Sequence, residues 1–299
     1  MDVTYSVPAP ELLTAVVEQL ARWQVDPWAG HLHPGDLGWH SSVGPEQMAR
    51  DLRVWELDGE AVALGMLDGP EVLRIAVSPE LNQDQALAQR IADNLNENAV
   101  DFFTGQEAIV EARGASALRQ ALRSSGWIDD DAWTPMTLAL STPLDLARLE
   151  AAPLNIVEVG PEAAADWTSV HWSSFKGTPF TKDARSWFVD RWTHIMTGPF
   201  AARAQSLMAY DGSGQPVAVT TVWTAGEGRP GLVEPMGVHR DHHGRGYATA
   251  ITLAGARTLQ RRGASSAAVV AENSNLAALA TYRSAGFLTQ EQVTDLKRA

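Results

Sequence analysis

The chain has 299 residues, of which 45% are hydrophobic and 20% charged, a size and balance that suit one large or two ordinary soluble globular domains. The formal net charge of −13 argues against a nucleic-acid backbone as partner. With no cysteine, disulfides, thiolate metal sites and a cysteine nucleophile are excluded.

The opening MDVTYSVPAPELL lacks the basic start and apolar core of a signal peptide, and no apolar run is long enough to span a bilayer. The expectation is a cytoplasmic protein, monomer or homodimer, without a membrane partner. Val3 to Val7 alternates as an edge strand does. PELLTAVVEQLARW follows as a helix with Pro10 and Glu11 in its first turn. QVDPWAGHLHPGDLGWHSS, rich in Pro, Gly, Trp and His, reads as a loop. Val54 to Leu57, Ala61 to Met66 and Val72 to Val77 are strand candidates separated by Asp58-Gly59 and Asp68-Gly69, both hairpin signals. A helix from about Gln83 to Asn98, a strand AIVEA, a helix SALRQALRSSG and a strand around Met136 to Leu140 complete an α/β alternation.

STPLDLARLEAAP, residues 141–153, carries two prolines around a short amphipathic piece and reads as a linker between domains at 1–140 and 154–299. The second half then gives a strand at Asn155 to Val159 and helices at Glu162 to Trp172 and about Lys182 to Met196. Strands follow at Ser206 to Tyr210, Val217 to Trp223 and Glu234 to Val238. Beyond them come the turn HRDHHGRG, a long amphipathic helix from Tyr247, a strand SSAAVVAE and a helix NLAALATYRSAG. Gly244 and Gly246 let a ligand approach the backbone, and the helix opening near Tyr247 offers unpaired N–H groups and a positive dipole end to a phosphate.

These residues carry a resemblance. His243, Gly244, Arg245, Gly246, Tyr247 and Ala248, followed by Asn275, Ala278, Tyr282, Gly286 and Phe287, are similar to the two central motifs of the GNAT superfamily of acetyl-CoA-dependent N-acyltransferases. The opening His243 departs from the family's Gln or Arg. The resemblance covers about the last 145 residues. It implies an acetyl-CoA site at the glycine turn, with Asn275, Ala278 and Tyr282 beside it, and no metal. It also implies that the main chain of Met236, Gly237 and Val238 pairs with the pantetheine arm. Pro235 has no N–H to offer and is expected to help splay its strand from the next. Trp172, Phe175, Phe180, Trp187 and Trp192 would lie on the acceptor side. Tyr282 would be the general acid, a phenol protonated at neutral pH.

Glu234, alone in an apolar strand where burial would raise its pKa, is the candidate general base, with His239 and His243 as rivals. Trp28 and Trp39 are candidates for an aromatic pocket between the halves.

The two halves also match each other. Val77-Ser78-Pro79 aligns with Val238-His239-Arg240 at an offset of 161, and Leu122 to Trp127 aligns with Tyr282 to Phe287 at 160. Where the second half has its glycine turn, the first has Glu80-Leu81-Asn82-Gln83-Asp84-Gln85. The fold expected is two tandem GNAT-like domains, each a mixed, largely antiparallel twisted sheet flanked by helices, the first without a cofactor site. The activity expected is transfer of an acetyl group to a primary amine of a small molecule. A non-catalytic acyl-CoA-binding or sensing module is the alternative, and the tandem layout alone also resembles mycothiol synthases.

Overall fold

The computed structural model describes residues 3–298. The first half runs β1 (Val3–Ser6), α1 (Leu13–Arg22), α2 (Pro34–His40), α3 (Pro45–Arg50), β2 (Leu52–Leu57), β3 (Glu60–Leu67), β4 (Val72–Val77), α4 (Gln85–Glu97), β5 (Ile109–Glu111), α5 (Ser116–Ser124) and β6 (Trp127–Ala139). After α6 (Ala147–Glu150) come β7 (Asn155–Val159), α7 (Ala164–Phe175), α8 (Lys182–Thr197), β8 (Ala204–Tyr210), β9 (Pro216–Trp223) and β10 (Gly231–Val238). The chain closes with α9 (Tyr247–Arg261), β11 (Ser266–Glu272), α10 (Leu276–Ser284), β12 (Leu288–Thr289) and β13 (Val293–Arg298).

The strands form one sheet in the order β1-β2-β3-β4-β5-β13-β6-β11-β10-β9-β8-β7, with β12 added against β6. The order is the same read from either edge once β1 to β6 are matched with β7, β8, β9, β10, β11 and β13, which is the layout of an internal duplication. Within each half only one pair is parallel, β4 with β5 and β10 with β11, and the other pairs are antiparallel.

The expected mixed, largely antiparallel sheet with flanking helices is therefore present twice, fused into a continuous whole. The fusion is an exchange of strands. β6 comes from the first half but pairs along the whole of β11, from Ser266↔Ala139 to Glu272↔Trp133. β13 comes from the second half but pairs with β5 at Leu296↔Val110. The two exchanged strands pair with each other at the centre.

Local chemistry explains several boundaries. Asp58 and Gly59 both have positive φ, at 53° and 81°, as a tight two-residue hairpin between β2 and β3 requires. Asp84 caps α4 by accepting from the Leu87 N–H at 2.8 Å. That carboxylate sits where the second half has its glycine turn, and Leu81 packs against the first half's core. The Ala117 N–H also donates to the Asn82 carbonyl at 3.2 Å, tying the start of α5 to the turn before α4.

One expectation needs correction. The stretch read as a loop contains α2, because His33 and Asp36 form a reciprocal cap that offsets the poor helix propensity of its glycines. The His33 ring accepts from the Gly35 N–H at 2.9 Å, and the Asp36 carboxylate accepts from the His33 N–H at 2.7 Å. In the segment 141–153, Leu144, Leu146 and Leu149 pack into the core around Val233, Leu253 and Leu259.

Helix α2 docks the first half onto the second. A Cβ at Gly35 or Gly38 would come within 2.6 Å or 2.2 Å of the Trp223 ring, so both glycines are needed for the helix to lie on that indole. Trp28 is buried in the same junction, in a cluster with Ile195, Trp223 and Leu232. The His33 Nε2 meets the Pro230 carbonyl at 3.2 Å, and the Ser266 hydroxyl donates to Asp26 at 2.6 Å.

Candidate active site

Strand β10 pairs with β11 only at Gly231 and Leu232, whereas it pairs with β9 as far as Val238. Past Leu232 the two strands separate, and the register with β9 shifts between Val233 and Met236 around Pro235. The separation leaves one edge of Met236, Gly237 and Val238 without a strand partner, as the sequence led us to expect. The freed carbonyls at the shift are satisfied from β9. Trp223 Nε1 donates to the Glu234 carbonyl at 2.9 Å, and the Thr220 hydroxyl donates to that of Pro235 at 3.0 Å.

A cleft of about 360 Å³ fills the gap. Met236, Gly237, Val238, His243, Gly244, Gly246, Tyr247, Ala248, Thr249, Ala277, Ala278 and Thr281 line it. Gly244 and Gly246 have φ of 75° and 79°, and a Cβ on either would meet nothing within 4 Å. Their requirement is thus conformational: the turn needs left-handed backbone, and the space beside it is open. Gly246 heads α9 with no side-chain cap, so the first N–H groups of a fifteen-residue helix are left to the cleft. That donor set suits a diphosphate. His243 lines the cleft while its Nε2 meets the Val238 carbonyl at 3.0 Å, bracing the turn against the strand. Arg245 is exposed at the turn and is not among the lining residues. Asn275 does not line the cleft. It caps α10 by accepting from the Ala278 N–H at 3.1 Å, which holds the cleft's far wall in place.

A second cavity, of about 320 Å³, opens between the two halves. The first half supplies Asp36, Trp39 and His40 from α2, Met66 from β3, Asp68, and Arg74 from β4. The second supplies His171, Phe175, Arg191, Trp223, Leu232, Glu234 and Pro235. Glu234 and Pro235 border this cavity while the next three residues of β10 border the cleft. Phe175 and Ser174 divide in the same way at the end of α7, so the two spaces share a wall.

The Glu234 side chain is open to the cavity yet crowded by protein on all sides. That crowding, with the charge of Asp36, pushes its carboxyl up to about 7, and Arg74 works in the opposite direction. Tyr282 is buried, its ring 5.7 Å from that of Phe287, and it lines neither space, in contrast to the expectation that it would sit at the cofactor site. Burial and the Glu234 charge raise its pKa above the ordinary phenol value, so it is protonated across the neutral range. The rival His239 lines neither space, and its Nδ1 accepts from the Asp241 N–H at 3.4 Å.

The aromatic residues expected on the acceptor side divide. Phe175 and Trp39 line the cavity. Trp192 is fully buried and stacks on Trp167 at 5.1 Å, so it is core. Trp172 stacks on Phe180 at 4.8 Å, and Trp187 lies exposed with the Arg191 guanidinium 5.5 Å from its ring centre. Trp172, Phe180, Trp187 and Trp192 do not line the cavity, and Trp28 does not reach it. The sequence reading missed His171, which burial pushes down to about 3, making it a neutral ring stacked with Trp39 at 5.9 Å and packed 4.5 Å from Phe175. It also missed Asp36, Asp68, Arg74 and Arg191. Arg74 carried a usable signal, being a lone charge in an apolar strand like Glu234. Among the described residues no cluster of His, Cys, Asp and Glu is placed to hold a metal.

The split β10–β11 pair and the uncapped α9 turn place the second half in a defined class. Residues 165–287 match the acetyltransferase (GNAT) family, and the chain carries a domain of that family. A mycothiol acetyltransferase of Arthrobacter sp. (strain FB24) is 26% identical over 271 residues, spanning 86% of this chain and 80% of that protein. A mycothiol acetyltransferase of Saccharomonospora viridis is 44% identical over 73 residues, 24% of this chain and 23% of that one. Among solved structures, a tandem GNAT protein from the clavulanic acid biosynthesis pathway superposes with a TM-score of 0.61 at 15% identity, covering 99% of this chain and 98% of its own. A GNAT-family acetyltransferase from Colwellia psychrerythraea does so at 0.61 and 14%, over the full length of both. At those identities the structures support the tandem fold alone.

Proposed function

We propose that the chain is an acetyl-CoA-dependent N-acetyltransferase that acetylates a primary amine of a small molecule. The observation that carries this reading is the shared wall between the two spaces. A cleft whose open helix N–H groups suit a diphosphate meets a cavity between the halves with a carboxylate of near-neutral pKa at its edge. Acetyl-CoA would lie in the cleft, its diphosphate at the α9 turn and its pantetheine along the free edge of Met236 to Val238. The amine would enter the cavity between the halves, against Trp39, His171 and Phe175. In the reaction the amine nitrogen bonds to the acetyl carbon and the carbon–sulfur bond breaks. Glu234, directly or through a water, takes the proton the nitrogen loses, and the Tyr282 hydroxyl gives one to the departing sulfur. On this reading residues 154–299 hold the cofactor site. The first half, whose turn is closed by Asp84 and Leu81, contributes to the acceptor cavity instead.

A narrower reading has its own support, since two relatives bear the name mycothiol acetyltransferase and one aligns over most of both chains. Amine-dependent release of CoA, measured across a panel of amines that includes the acceptor of those enzymes, tests both. Turnover of that acceptor alone would favour the narrower reading. Acetyl-CoA binding without turnover of any amine would leave a sensing module. In the active case Glu234→Gln should flatten the limb of the rate profile that rises with pH through about 7.

A further inference from the structure

We propose that Arg74, supplied by the half that lacks the glycine turn, is a positioning residue for Glu234, its guanidinium, fixed by an ion-pair network that joins the two halves, opposing the tendency of the cavity to leave a proton on that carboxylate. The inference rests on the reading of Glu234 as the base.

β4 is the counterpart of β10, and the match of Val77 to Val238 brings Arg74 to the place where β10 shifts register, at Glu234 and Pro235, 160 and 161 positions on. One copy carries the cation and the other the anion, and both side chains border the same cavity. Arg74 is held in place by carboxylates on three sides. It lies 3.0 Å from Asp36, 3.0 Å from Glu111 and 3.9 Å from Asp68. Burial works against its charge, and Asp36, Glu111 and Glu234 outweigh that effect. The network continues away from the cavity. Glu111 is 3.5 Å from Arg113, which donates to both oxygens of Asp295 on β13 at 2.9 and 2.7 Å. An element of the second half therefore anchors the network that begins in the first.

The groups around Glu234 are Asp36 and His40 on α2, Asp68, Arg74 on β4, Glu111 and Arg113 by β5, His171 on α7, Arg191 on α8 and Tyr282 on α10. Among these, Asp36 and Glu111 favour the protonated carboxyl, while Arg74 and Arg113 favour the carboxylate. Burial raises the pKa of Asp36 above the ordinary carboxylate value, and Arg74 and the His33 N–H oppose that rise. No hydrogen-bond donor among the described residues meets the Glu234 carboxylate, so its ionised form is favoured only through space, by Arg74 first and Arg113 after it. Without Arg74, Asp36 and Glu111 would lose their common partner, and their repulsion would favour a proton on Glu234.

The test is a direct titration of Glu234 through its carboxylate carbon resonance, assigned by its loss in Glu234→Gln. It is carried out on the whole chain and its variants, with the pH profile of kcat/KM beside it where turnover is found. Arg74→Met should move the Glu234 titration up by roughly one pH unit, and Glu111→Gln, outside the cavity, should move it down. Arg74→Lys should restore most of the wild-type value. Opposite shifts are not what general structural damage would give. A titration left in place by both changes, or moved the same way by both, would overturn the inference without touching the assignment of the base. An acid limb that survives in Glu234→Gln would instead remove the base assignment, while the shifts in the Glu234 resonance would still stand for Arg74.

Discussion

Replacing Gly38 with alanine sets two physical effects against each other. In an exposed helix the change would stabilise by about 1 kcal/mol, because glycine gives up more backbone freedom than alanine on folding. Here the new Cβ would lie 2.2 Å from Cζ3, 2.7 Å from Cη2 and 2.9 Å from Cε3 of Trp223. Ordinary carbon contacts begin near 3.5 Å, so α2 must retreat by about 1.3 Å or the indole must move. The indole has little freedom, being 1% exposed and bonded through Nε1 to the Glu234 carbonyl. Overpacking of this kind costs roughly 1–3 kcal/mol, and so close an approach belongs at the upper end. The net expectation is a loss of about 2 kcal/mol, a fall in Tm of roughly 5 °C. Because α2 carries Asp36 and Trp39 into the cavity, KM for the amine should rise while acetyl-CoA still stabilises the variant. Thermal unfolding with and without acetyl-CoA checks this, and Gly212→Ala, where a Cβ meets nothing within 4 Å, is the control. A Tm for Gly38→Ala equal to or above wild type would show that α2 does not rest on Trp223 as described.

Gly246→Val should abolish the thermal shift expected from acetyl-CoA, since valine resists a φ of 79° and its side chain would stand beside the uncapped N–H groups of α9. Gln85→Ala, at the equivalent turn of the first half, should leave that shift intact, and a shift preserved in Gly246→Val would refute the cleft as the cofactor site. Tyr282→Phe should lower kcat by roughly one to three orders of magnitude with little change in acetyl-CoA affinity. Unchanged turnover, measured by CoA release, would take Tyr282 out of the mechanism.

The cleft at the α9 turn was legible in the sequence because its determinants are local. Two glycines at fixed spacing, a helix start and a strand carrying Pro235 can be read without knowing what packs against them. Most of the cavity between the halves was not legible, because it is made by the docking of distant segments. Asp36 lies in a stretch whose Pro and Gly content signals a loop, and only the His33–Asp36 cap together with the Trp223 surface makes it a helix. Trp192 and Phe175 have similar sequence signals, yet one is core and the other faces the cavity, a difference set by the helix packing of α7 and α8. The periodicity within β6 does not say that it will pair with β11, because alternation fixes which face is buried but not which neighbour is chosen.

The crossing of β6 and β13 also bears on how the molecule could be divided. A fragment starting after residue 153 would keep β13 but lose both β5, its edge partner, and β6, which covers β11. It would present an open strand edge together with a loose strand of the kind that fits such an edge. Two identical fragments could satisfy each other by trading β13, reproducing between molecules the arrangement that the intact chain makes within one. Severing 141–153 should accordingly yield either a tightly held pair of unlike pieces or a swapped dimer of like ones, and not a lone, folded half.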